Sequence, residues 1–196
     1  MLEQQVRPVV PDSPDVVWLD RPLVERARIN WELVAFAAVW IVAAGLRWAF
    51  LDNKPFHHDE SQHAYFSWQL FKGLGYAYNP LLHGPFQFEL TALMYLLLGP
   101  TEFAARFGDT LFGIATVTLP FFLRRQLTSL GALILTGLLA LSPTFVYFSR
   151  WEREDAFVTF FTVLIVVIFF NFIERPSLGL LVALGATWAL SFAVKE

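Results

Sequence analysis

Residues 31–63 read WELVAFAAVWIVAAGLRWAFLDNKPFHHDESQH, and the change of character along this stretch decides the fold. Its first part, residues 31–51, is an apolar run of about 20 residues, ~30 Å as a helix, which is enough to span a bilayer. Directly after it stand His57, His58, Asp59, Glu60, Ser61, Gln62 and His63. A second polar cluster, Ser149, Arg150, Trp151, Glu152, Arg153, Glu154 and Asp155, again abuts an apolar run. Ionisable groups beside hydrocarbon are costly, so they carry a functional reading by default. Two such clusters at the ends of spans point to metal-assisted or general-base chemistry on a lipid-borne substrate.

The bulk composition agrees with a membrane protein. The chain is 56% hydrophobic and only 16% charged, which is more apolar than a soluble domain. A net charge of −3 leaves no electrostatic footprint for nucleic acid. With no cysteine there is no disulfide framework, thiolate metal site or cysteine nucleophile. Residues 1–30 are polar and punctuated by Pro8, Pro11, Pro14 and Pro22, with no early apolar core. They therefore read as a cytoplasmic tail and not as a signal peptide.

Beyond the first run, the apolar stretches are 86–98, 103–123, 127–148, 156–173 and 178–194. The first of these is too short to cross: about 13 residues give ~20 Å of helix. With Gln87 and Glu89 near its start, Pro85 before it and Gly99-Pro100 after it, it reads as a helix lying in the interface. The expected fold is thus all-α: a polytopic bundle of about five spans. These are 31–51, 103–123, 127–148, 156–173 and 178–194, and an outer loop at 52–102 carries juxtamembrane helices. Asp59 and Asp155 then fall on the same extracytoplasmic face, while Arg26, Arg28, Arg124, Arg125 and Arg175 fall inside. The protein is expected in the cell membrane with its N-terminus cytoplasmic. Lys54, Lys72, Arg106, Arg150 and Arg153 lie outside against the positive-inside trend, and phosphate binding is one explanation. The sequence stops at Lys195-Glu196 directly after an apolar run, which reads as the first part of a longer membrane protein.

Each cluster has a plain structural reading beside the functional one. Asp59 followed by Gln62 fits a helix N-cap, with the helix running to Lys72 and closed by Gly73. On that helix Ala64, Trp68 and Phe71 would form the apolar face, and Glu60, His63 and Ser67 the opposite one. A carboxylate here could act as a general base on an acceptor hydroxyl or hold a divalent cation. Histidines suit zinc or manganese, although His57 and His58 are adjacent and do not both point inward. His83-Gly84-Pro85 forms a rigid turn in which Gly84 permits close backbone approach. Arg106 stands between Glu102 and Asp109, as a local ion pair or as a cation for a lipid phosphate. Arg150 and Arg153 offer the same choice near Asp155, which opens a span and can cap it. The tryptophans and tyrosines read as interfacial belt.

These segments resemble those of the type C glycosyltransferases that use lipid-phosphate sugars. Within them the chain is similar to the dolichyl-phosphate-mannose protein mannosyltransferase superfamily, and most of all to its bacterial and archaeal flippase-activity-associated branch. The resemblance rests on residues 57–65 (HHDESQHAY), 78–85 (YNPLLHGP), 103–106 (FAAR) and 142–150 (SPTFVYFSR), with Asp155 after them. It implies a catalytic Asp-Glu pair, here Asp59-Glu60. It also implies an outer-loop arginine, here Arg106, and a second-loop acid, here Asp155. The histidine-proline motif appears as His83-Gly84-Pro85, with glycine where the mannosyltransferases carry a proline. The family's later spans and C-terminal domain do not appear, which implies that this segment alone is inactive. The expectation is transfer of a sugar from a polyprenyl-phosphate donor to a protein or glycolipid acceptor, with inversion. Asp59 and Glu60 would be catalytic, and Arg106, Arg150 and Arg153 would bind phosphate. His83 and Asp155 would be ligands of a Mg, Mn or Zn ion. The rival is a non-catalytic lipid-glycan binding or flippase-accessory protein. A transporter fits less well, because transporters place ionisable groups at the midplane.

Overall fold

The computed structural model describes residues 30–75 and 84–195. The chain divides into two units, residues 1–31 and residues 32–196, and the helical bundle is the second. In chain order the helices are α1 (Trp31–Trp48), α2 (His58–Phe71), α3 (Pro85–Leu98) and α4 (Glu102–Thr118). A 3₁₀ segment (Leu119–Leu123) extends α4, and α5 (Arg124–Leu141), α6 (Pro143–Phe148), α7 (Asp155–Glu174) and α8 (Leu178–Lys195) complete the bundle. Among the described residues there is no strand.

The bundle exposes many large apolar side chains and buries several charged ones beside its apolar core, unlike a soluble protein. Ile41, Leu96, Leu138 and Leu178 lie exposed, while Arg47, Glu60, His63, Gln87, Arg106, Asp109 and Glu152 are buried. A hydrocarbon solvent inverts the pattern in this way, because polar side chains then have only one another to bond. This is an all-α membrane bundle. Among the described residues three helices are long and apolar enough to cross a membrane: α1, α7 and α8. The expected 103–123 segment is helical throughout, turning to 3₁₀ at Leu119. The expected 127–148 segment is divided. Thr128, at φ 62°, interrupts the start of α5, and its hydroxyl oxygen accepts a bond from Gly131 N. Ser142-Pro143 ends α5 and begins α6, with the Ser142 hydroxyl accepting from Phe145 N.

α4 is the central helix. Its buried residues include Ala104, Ala105, Gly108, Gly113 and Thr116, small groups that let neighbouring backbones approach. α3, α5 and α7 all pack against it, and α8 pairs with α7. Ala43 of α1 meets Val117 and Ala140 in one cluster. On the far side Phe86, Phe112, Phe157 and Phe161 interlock edge to face. A Cβ on Gly113 would collide with the Ser149 side chain, so this glycine seats the α6–α7 connection, and with it the second polar cluster, on α4.

Helix ends refine the expectations around the first cluster. The N-cap of α2 is His57, not Asp59, and its reciprocal partner is Glu60, not Gln62. Glu60 Oε2 accepts from His57 N at 2.9 Å, a bond that requires the helix to begin one residue before Asp59. The C-terminus falls as expected, with Lys72 as cap and Gly73 at φ 70°. Pro85 opens α3 and Gly99 closes it at φ 84°. Gly84 lies against the end of α8, where Gly84 N donates to Val194 O at 3.2 Å. A Cβ there would run into the Ala193 backbone.

Candidate functional site

The centre of the site is a buried ion pair between α2 and α4. Glu60, His63 and Ser67 share the buried face of α2 at helical spacing. Arg106 donates to Glu60 through Nε at 2.8 Å and Nη2 at 3.0 Å, and both side chains are 3% exposed. Glu60 also accepts from His57 N and from Glu152 N at 3.3 Å. Burial alone would raise the pKa of this carboxyl. The bonds from Arg106 and the two backbone amides outweigh it and hold Glu60 below the ordinary carboxylate range.

Arg106 then turns to the backbone. Its Nη1 donates to Leu51 O and Lys54 O, both at 2.9 Å, and Nη2 to Pro55 O at 3.4 Å. A guanidinium has five N–H groups, and all five are engaged. Glu102 is a further 3.7 Å ion pair one turn away. Of the two local partners expected for Arg106, Glu102 is thus secondary. Asp109 is not one, since its Oδ1 accepts from Arg153 N at 3.1 Å. The principal partner, Glu60, lies 46 residues away in sequence.

Asp59 has a different environment. Its side chain is 44% exposed, and Oδ2 lies 3.5 Å from Arg153 Nη1 and 4.0 Å from His57 Nδ1. Arg153 Nε lies 3.6 Å from Asp155 Oδ2. One guanidinium thus bridges the two acids that the sequence singled out. Asp155 sits in the first turn of α7 but does not cap it; the N-cap is Glu154, without a side-chain cap bond. Among the described residues, Asp59 Oδ1 has no hydrogen bond.

Beside this cluster opens a cavity of about 940 Å³. Leu46, Leu141 and Val146 form apolar wall, while Lys54, His57, Arg150 and Trp151 stand at its polar part. The His57 ring stacks on Trp151 at 5.1 Å, so one tryptophan read as belt lines the site. Arg150 caps α1, donating to Leu46 O, Ala49 O and Phe50 O at 2.7–3.1 Å. Its Nε–H and one Nη1–H remain. Lys54 is exposed, its own carbonyl is held by Arg106, and among the described residues its ammonium makes no bond.

Two buried groups escaped the sequence reading. Arg47, fully buried, donates to Ala43 O, Ala140 O and Leu139 O, tying α1 to the end of α5. The signal was present: a lone arginine in an apolar run. Glu152 is fully buried too, and neither carboxyl oxygen has a hydrogen bond among the described residues. The Thr91 hydroxyl lies close but outside hydrogen-bond geometry. Burial first, then the Glu60 charge, push the Glu152 pKa well above the ordinary value, against the opposing pull of Thr91 and Arg106. Burial thus favours the protonated form of Glu152.

The Glu152 carbonyl lies 2.9 Å from His63 Nδ1. A carbonyl only accepts, so Nδ1 carries the proton. The Gln87 amide end 3.1 Å from the same nitrogen must then be its oxygen. His83 lies outside the described residues. Among the described residues no group of three or more His, Asp or Glu could hold a metal ion. Asp59, Glu60 and Asp155 are each paired with an arginine.

Residues 82–196 match the family model described as dolichyl-phosphate-mannose-protein mannosyltransferase, well over half of the chain. The match takes in Arg106, Asp109 and the cluster from Ser149 to Asp155; Asp59 and Glu60 precede it. No curated protein and no solved structure matches the chain.

Proposed function

Because the chain belongs to the dolichyl-phosphate-mannose-protein mannosyltransferase family, we propose that it moves a sugar from a polyprenyl-phosphate donor to an acceptor hydroxyl at the extracytoplasmic face, with inversion. The observation that carries this reading is the division of labour between two adjacent acids. Glu60 is buried and saturated with donors, so it is a positioning residue that fixes the start of α2. Asp59 is half-exposed, oriented at one oxygen by Arg153, with the other oxygen open to accept a proton. In the reaction, Asp59 Oδ1 takes the proton of the acceptor hydroxyl as that oxygen attacks the anomeric carbon. The new C–O bond forms on the face opposite the phosphate. The old C–O bond breaks, and its electron pair leaves with the lipid phosphate.

Negative charge grows on that phosphate in the transition state, where fixed cations are most effective. Lys54, with three free N–H groups, and the two unused donors of Arg150 suit this role. Arg106 has no donor left, so it acts by holding the Lys54 backbone. Arg153 orients Asp59 and ties it to Asp155. The apolar part of the cavity suits the first isoprene units of the donor.

The test is transfer by the intact protein in membranes supplied with polyprenyl-phosphate sugars. Asp59→Asn is expected to lower the turnover by about 10²–10⁴-fold with donor binding retained. Lys54→Gln is expected to raise the donor KM instead. Near-normal transfer by Asp59→Asn would remove Asp59 as the base. Donor binding by the wild type without transfer to any acceptor would support the lipid-glycan binding reading.

A further inference from the structure

α7 begins at the carboxylate cluster and ends 20 residues later, ~30 Å away along its axis. At that far end a second cavity of about 430 Å³ lies between the 3₁₀ segment, α7 and the start of α8. Its walls include Leu119, Phe122, Leu164 and Ile168, and Arg125 and Arg175 line it as well. Both arginines are exposed, and among the described residues neither side chain has a hydrogen bond or ion pair. The other charges near them are accounted for or weaker. Arg124 is bound to Glu32 at 3.1 Å and lies over the Phe121 ring, and the exposed Glu174 is the one acid beside Arg175 in sequence. Asn171 spends its amide on Val167 O and Phe122 O.

An apolar slot with two unspent guanidiniums fits one kind of molecule: an acyl chain that ends in an anionic phosphate. Basic pockets between membrane helices bind such headgroups, and each arginine adds about fivefold in affinity for an anionic surface. A neutral lipid would fill the slot but leave both guanidiniums without a counter-charge. A free phosphate would meet the guanidiniums but leave the slot empty. We propose that this cavity, remote from the transfer site, is a binding site for one anionic phospholipid, its phosphate on Arg125 and Arg175 and a chain along the 3₁₀–α7 wall. The site is independent of the glycosyl-transfer reading.

The experiment compares phosphatidylglycerol with phosphatidylcholine on the detergent-purified intact protein, by native mass spectrometry and by thermal shift. Retention of phosphatidylglycerol is expected to exceed that of phosphatidylcholine by about 25-fold, two arginines at about fivefold each. Arg125→Gln/Arg175→Gln is expected to bring the two lipids level, while Lys72→Gln, a charge removed elsewhere, leaves the preference intact. Leu180→Trp, which keeps both arginines but fills the slot, is expected to abolish retention, so the proposal stays testable if the double variant folds poorly. Glycerol phosphate in excess is expected not to displace the lipid. Equal binding of the two lipids by the wild type, or a preference that survives both the double variant and Leu180→Trp, overturns the proposal.

Discussion

Replacing Arg106 by methionine removes the guanidinium and keeps most of its volume. Glu60 is then left ionised and 3% exposed, without its bidentate partner. Breaking a buried pair from one side costs about 3–5 kcal/mol. Three carbonyls, Leu51 O, Lys54 O and Pro55 O, lose their donor as well. For a chain of this size about 2–4 °C accompanies each kcal/mol, so the melting temperature falls by roughly 6–20 °C. The measurement is thermal unfolding in detergent, followed by tryptophan fluorescence. Adding Glu60→Gln removes the stranded charge and keeps an oxygen for His57 N, so the double variant is expected to be more stable than Arg106→Met alone. Acidity supplies a second readout. In the wild type Glu60 has a lowered folded pKa, so its contribution is present above the unfolded value and lost as pH falls through the folded one. In Arg106→Met only the two backbone amides still oppose burial, so the folded pKa rises and the stability lost on acidification shrinks. Simple additivity of the two substitutions, or a loss under about 1 kcal/mol for Arg106→Met, would refute the central role of the pair.

Glu152 has a raised folded pKa, so wild-type stability declines as pH rises from the ordinary carboxylate value upward. Glu152→Gln is therefore expected to melt near the wild type at pH 4 and several degrees higher at pH 8; equal melting at pH 8 would count against the raised pKa. Arg153→Gln leaves Asp59 and Asp155 as adjacent uncompensated carboxylates. Divalent cations are expected to raise its melting temperature more than that of the wild type, as read by melts with and without Mn²⁺. Gly84→Ala drives a Cβ into the Ala193 backbone and is expected to cost about 1–3 kcal/mol by thermal melt. Gly179→Ala, with open space around its Cβ, is the neutral or stabilising control.

Local chemistry made some of this legible. Pro85 and Gly99 bound α3, Gly73 closes α2, and the 3.6-residue period put Glu60, His63 and Ser67 on one face. What local pattern cannot give is the partner of a long polar side chain. Arg106 has carboxylates at four and three residues' distance in sequence, yet its fork is taken by Glu60 on another helix. Arg150 has free choice of an anion and instead satisfies carbonyls at and just beyond the end of α1. The cap of α2 was misplaced for the same reason. Asp is the better N-cap by preference, but Glu60, oriented by Arg106, selects His57 N. In the run from Glu152 to Asp155, charge alone does not tell which acid is buried and which is bridged at the rim. Gly113, which leaves no room for a Cβ against Ser149, seats the start of that run on α4.

The 46-residue separation of Glu60 and Arg106 also has a temporal meaning. At about 5–20 residues per second, roughly 2–9 s pass between synthesis of the acid and of the arginine that closes over it. Through that interval the segment from Leu51 to Pro55 has none of its Arg106 bonds, and Glu60 can stay ionised only at the water-facing edge of the membrane. Arrival of α4 is therefore expected to be the step that closes this part of the bundle during synthesis. Variants at Arg106 should be lost to quality control while the chain is still entering the bilayer, and their defect should show first as low yield, before any defect in the protein that survives.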